Sequence, residues 1–145
     1  MITDLVETLE DGREGFRQVS DKLADQGYAD VAGRMMEFSD ERARFAAELR
    51  QFSRETLGED IEESGSVAAA LHRGWISLAD AVTGDDPHAI LAAAEAGEDH
   101  AVSEYDDALA DSSLSGELRD IVTRQAGEVR SAHNALRTLR DSFDS

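Results

Sequence analysis

Four histidines and thirty-two acidic residues are the groups of this 145-residue chain that could hold a metal or move a proton. A di-metal carboxylate centre in a helical bundle takes one glutamate from each of two helices and a Glu-x-x-His pair from each of the other two. The i, i+3 spacing sets both ligands of a pair on one helix face. The histidines are His72, His88, His100 and His133, and three residues before them stand Ala69, Asp85, Gly97 and Arg130. No Glu-x-x-His pair occurs. Asp85 and His88 alone have a carboxylate at that spacing, at an expected helix start beside a loop. Where further pairs would fall, Glu41 is followed three on by Arg44, and Glu128 by Ser131. The expectation is therefore no metal and no cofactor. The alternative is iron in an unusual carboxylate-rich site drawn from Glu14, Glu41, Glu98 and Glu128. Without cysteine there is no thiolate ligand, disulfide or cysteine nucleophile. The run Glu59-Asp60-Ile61-Glu62-Glu63 lacks the spacing and glycine of a calcium loop. No nucleophile motif, phosphate loop or nucleotide fingerprint is present.

A second set of residues carries chemistry of another kind. Arg42, Glu98 and Gln125 interrupt otherwise apolar helix stripes near their middles, and Gly12 is the matching gap in the first stripe. In an antiparallel bundle all four would meet in one buried polar layer. A buried charge persists only when it is paired and hydrogen-bonded. A guanidinium and a carboxylate can pair as a fork, the glutamine amide can add hydrogen bonds, and Gly12 would leave the guanidinium room. One reading of the layer is an ion pair that fixes helix register, as a polar seam residue does in a coiled coil. The other is a vestigial metal layer in which the arginine charge replaces the cation. Neither implies catalysis.

The elements that must position these groups follow from four breaks. They are Gly27, the glycine-bounded acidic stretch 58–65, Gly84-Asp85-Asp86-Pro87, and the capping-rich stretch 111–116. They predict helices over 3–26, 28–57, 66–83, 87–110 and 115–143. The four long segments carry apolar residues at spacings of three and four. The stripes are Ile2, Leu5, Leu9, Phe16, Val19, Leu23; then Val31, Met35, Phe38, Phe45, Leu49, Phe52; then Leu91, Ala94, Ala101, Tyr105, Ala108; then Leu118, Val122, Val129, Ala132, Leu136, Leu139, Phe143. Such narrow seams belong to a left-handed bundle. Tight turns make the first two long helices antiparallel, and the last two likewise. Between these pairs, 66–83 is long enough to cross the bundle. The fold class expected is all-α, a single domain over 1–145. It is a ferritin-like four-helix bundle with a short crossover helix between the second and third long helices. A plain five-helix bundle is the alternative. On the crossover segment, Trp75 lies on the apolar stripe and His72 beside it reads as a packed neighbour rather than a ligand. Gly74 would let that segment approach a neighbour closely. Tyr105 is expected to pack with its hydroxyl at the rim, and His133 to flank a helix interface.

The stretches SGSVAAALHRGWISLADAVTG (64–84) and GEDHAVSEYDDAL (97–109) resemble a family of uncharacterised bacterial four-helix-bundle proteins of the ferritin-like group, catalogued as a domain of unknown function. DLVETLEDGREGF and ERARFAAEL fit the same family. The resemblance implies the ferritin-like bundle and brings no activity with it.

A formal net charge of -18 repels phosphate backbones and argues against nucleic acid. No apolar run reaches the length of a membrane span, and the acidic start is unlike a signal peptide, so a soluble cytoplasmic protein is expected. The acidic surface fits solubility or adaptation to salt. The function expected is a non-enzymatic structural or interaction protein, a homodimer or the binder of another protein, with Met36 and Ile76 as candidates for an apolar contact face. The alternative is a ferritin-like metal-binding or oxidase protein.

Overall fold

The structure is a computed structural model that describes residues 2–59 and 86–143. The expected crossover helix 66–83, with His72, Gly74, Trp75 and Ile76, lies outside the described residues. The described chain is helical throughout its regular parts: α1 (Ile2–Asp25), α2 (Ala29–Phe52), α3 (Pro87–Ala110) and α4 (Gly116–Asp141).

Local chemistry sets each boundary. α1 has Asp4 in its first turn and Lys22 in its last, matching the helix dipole at both ends. It stops at Gly27, whose φ of 89° suits a residue without Cβ. There the Tyr28 N–H donates to the Leu23 carbonyl at 2.9 Å, and the Gly27 N–H to Ala24 at 3.0 Å, the paired bonds of a Schellman turn. α3 begins with the Asp86 carboxylate accepting from the His88 N–H at 3.0 Å, and Pro87 takes the first helical position. After Asp111, Arg119 donates to the Leu114 and Leu109 carbonyls at 2.8 and 3.2 Å, tying the α3–α4 turn to the start of α4.

One boundary differs from expectation. α2 does not run as α-helix to residue 57; after Phe52 it widens into a π-helical turn, Ser53–Leu57, closed by Gly58 at φ 68°. The buried Ser53 hydroxyl donates to the Glu59 carbonyl at 2.9 Å and holds that turn. Apolar spacing does not distinguish one wide turn from an α turn.

The stripes face inward and form two apolar clusters. One joins the start of α1 (Leu5, Leu9), the end of α2 (Phe45, Leu49), the later part of α3 (Ala101, Tyr105) and the start of α4 (Val122, Ala126). The other joins the end of α1 (Phe16, Leu23), the start of α2 (Ala32, Met35), the start of α3 (Ile90, Leu91) and Leu136 of α4. α1 and α4 therefore run one way, and α2 and α3 the other. α1 packs beside α2 and α3, while α4 packs beside α3 and more thinly beside α2. The four form a helical bundle with α2 and α3 on a diagonal. Small polar residues stitch α1 to α2: Ser20 Oγ donates to the Ala32 carbonyl and Ser39 Oγ to the Arg13 carbonyl, both at 2.8 Å. None of the described helices is long and apolar enough to cross a membrane.

Candidate functional site: a polar layer inside the bundle

Arg42 and Glu98 lie between the two apolar clusters, facing each other across the α2–α3 diagonal. Both side chains are 1% exposed, and Arg42 Nη2 donates to Glu98 Oε2 at 2.7 Å. The second terminal nitrogen, Nη1, donates to Glu41 Oε1 at 3.3 Å, so one guanidinium serves two carboxylates. The Phe16 ring covers the guanidinium, with Arg42 Cζ 5.5 Å from its centroid, a cation–π contact made stronger by exclusion of water. Phe38 packs on Phe16 at 5.3 Å and holds that ring in place.

Gly12 stands against the Arg42 stem. A Cβ at position 12 would lie 3.5 Å from Arg42 Cγ, an ordinary contact. The room that Gly12 leaves is thus room beyond a methyl group. Gly12→Ala should stabilise the protein by up to about 1 kcal/mol through helix propensity. Gly12→Leu should destabilise it by driving atoms into the Arg42 stem. Thermal melts of the two variants, with midpoints moving in opposite directions, check this.

Gln125 is fully buried but bonds neither member of the ion pair. All four residues of the expected layer are buried, but Gln125 takes partners of its own. Gln125 Oε1 accepts from the Tyr105 hydroxyl at 2.7 Å. Its Nε2 donates to the Phe45 carbonyl at 3.3 Å and to Glu48 Oε1 at 2.8 Å. Glu48 also pairs with Arg124 at the α2–α4 surface. The Tyr105 hydroxyl therefore points inward rather than to the rim. The ring is long enough to reach α4, and a buried hydroxyl needs a partner that the amide supplies. Burial holds the Tyr105 phenol well above the usual range.

The carboxyls of the layer are displaced too. Burial pushes the Glu98 carboxyl above the usual carboxylate range, with Arg42 opposing. Burial does the same to Glu41, again opposed by Arg42 and reinforced by the like charge of Glu128. His133, near Glu98, bonds Asp99 at 2.5 Å across α3 and α4.

Of the four acids of the alternative metal site, Glu41 and Glu98 share the Arg42 guanidinium and Glu128 adds its like charge to Glu41, but Glu14 is bound by Arg17. Glu14 is on the surface, where the Arg17 guanidinium bonds it and holds its carboxyl below the usual range. Glu98 is committed to Arg42. Among the described residues no group of three or more His, Asp or Glu side chains is placed to hold a metal ion.

A family model described as a domain of unknown function, DUF2383, matches residues 1–111. The chain belongs to the DUF2383 family. The match takes in α1, α2 and α3, and with them Gly12, Arg42 and Glu98, while α4 with Gln125 lies beyond it. No curated protein matches the chain, and no solved structure does.

Sequence reasoning did not give Glu41 its place on Arg42 or Glu48 its place on Gln125, nor pair Asp99 with His133. A signal for the first two was present. Glu41, Glu48 and Glu55 recur every seven residues along 41–55 and so keep to one side of the seam. Glu48 is half-buried because Gln125 and Arg124 both draw on it.

Proposed function

We propose that this DUF2383 protein is a non-enzymatic helical-bundle structural or interaction module of ferritin-like connectivity, closed at its centre by an ion pair in place of a metal. The observation that carries this reading is the Arg42 guanidinium, buried between Glu98, Glu41 and the face of Phe16. A cation beside a buried guanidinium is disfavoured electrostatically.

The connectivity rests on the helix directions. α2 runs into Ser53 and Leu57, which share a cleft with Ile2 and Leu114 at one end of the bundle, while α3 starts at the other end, where Ile90 and Leu91 meet Leu23. The segment joining α2 to α3 thus links opposite ends, as the crossover of a ferritin-like bundle does. A homodimer belongs to the same reading, with Met36, 37% exposed on α2, in the contact face. The acidic composition fits residence in a bacterial cytoplasm.

Metal analysis by mass spectrometry tests the central claim. Protein purified without chelator and reconstituted anaerobically with ferrous iron should retain no stoichiometric iron and consume no oxygen. Two irons per chain with oxygen consumption would overturn it. Sedimentation should give the mass of two chains, and a monomer at micromolar concentration would remove the dimer.

A further inference from the structure

The layer holds one more carboxylate than its guanidinium can neutralise. Arg42 Nη2 is on Glu98 and Nη1 on Glu41, and no other base bonds either acid among the described residues. Glu98 Oε1 is buried with no hydrogen-bond partner, as is Arg42 Nε. An unpartnered carboxylate oxygen in a low-dielectric interior is costly, and a bound proton removes that cost by making the acid neutral. Arg44 on α2 favours the ionised form of Glu41 from a distance but bonds neither acid. α1 presents Gly12 and the Phe16 ring. α2 presents Arg42, Arg44 and Glu41; α3 adds Asp99 and Tyr105; α4 adds Glu128, and His133 already bonded to Asp99.

We propose that Glu98 and Glu41, sharing the Arg42 guanidinium, take up one proton between them on mild acidification, and that this proton tightens α2 against α3 and α4. With two acids on one base the proton belongs to the pair. Once it is bound, the cluster is neutral, and the repulsion between Glu41 and Glu128 across the thin α2–α4 side is relieved when Glu41 carries it. The sign follows from linkage. The folded pair binds a proton at a pH where the unfolded glutamates do not, so its contribution favours folding on the acid side. That contribution is lost as pH rises from the ordinary carboxylate value through the folded one.

Carboxyl-carbon NMR of the full chain, with Glu41 and Glu98 assigned, reads the proton directly. One of the two signals should complete its titration above the ordinary glutamate range, and in Glu41→Gln the Glu98 midpoint should fall. Denaturant unfolding gives the second readout. From pH 5 to 8 the folding equilibrium constant of the wild type should drop severalfold more than that of Glu41→Gln. Glu41→Gln keeps the Arg42–Glu98 pair and one acceptor for Nη1, so it should fold. Ordinary titration of both acids would overturn the proposal. An unchanged Glu98 midpoint in Glu41→Gln would overturn it as well, since burial alone would then set the proton affinity.

Discussion

Arg42→Ala is expected to cost roughly 3–5 kcal/mol of stability at neutral pH, the largest loss of any single substitution considered for this protein. The reason is not the strength of the Arg42–Glu98 bond alone. The substitution leaves Glu98 fully buried with neither oxygen partnered and removes the charge that lets it stay ionised. It also uncovers the face of Phe16, on which the guanidinium lies. Chemical denaturation followed by circular dichroism gives the number. The loss should shrink on acidification, because a protonated Glu98 no longer needs a counter-charge. Replacing both partners with apolar residues, Arg42→Met with Glu98→Leu, should recover much of the loss, since the buried Glu98 charge is then removed together with its partner. A loss below about 1 kcal/mol for Arg42→Ala is the size of an exposed pair. It would mean that the layer does not hold the bundle together.

The second large effect is expected at Gln125. This amide uses its oxygen and both donors of its nitrogen: Tyr105 gives to it, and Phe45 and Glu48 receive from it. Gln125→Leu keeps the apolar bulk but strands the Tyr105 hydroxyl in the core, while the Phe45 carbonyl keeps its helix bond. Leaving a buried polar group unsatisfied costs about 1–3 kcal/mol, and that range is the loss expected here. Tyr105→Phe alone should cost less, because it removes a donor and leaves only Gln125 Oε1 short. The double variant should lose clearly less than the two single losses added together, since the groups form one network. Additive losses in a denaturant melt would show that Tyr105 and Gln125 act independently. Only α4 carries Gln125, so the substitution should also weaken α4 on α2. Faster amide exchange along α4 would report that weakening.

Both effects concern residues that interrupt an apolar stripe, and the sequence exposes such residues well. A helix repeats every 3.6 residues, so membership of a face is a local property read by counting. The inward faces of α1 to α4, the stop at Gly27, the Asp86–Pro87 start and the lack of Glu-x-x-His pairs all follow from spacing or residue type along one segment. That Arg42, Glu98 and Gln125 sit on inward faces follows in the same way.

Which of those residues touch is a different matter. It depends on how far each helix slides along its neighbours and on which rotamer a long side chain takes, and both are set by the packing of four helices at once. Arg42, Tyr105 and Gln125 are long enough to reach a turn up or down the bundle axis. Only the tertiary structure could therefore decide that Arg42 takes Glu98 and Glu41 while Gln125 goes to Tyr105. The same holds for Glu41 and Glu48, which lie beside the stripe rather than on it. Their roles come from what α4 brings across the gap. The sequence by itself determined the helices, their buried faces and the missing metal-ligand pairs, because those depend on neighbours along the chain. The tertiary structure decided the partners, because a charge in the interior is satisfied by whichever groups packing delivers to it.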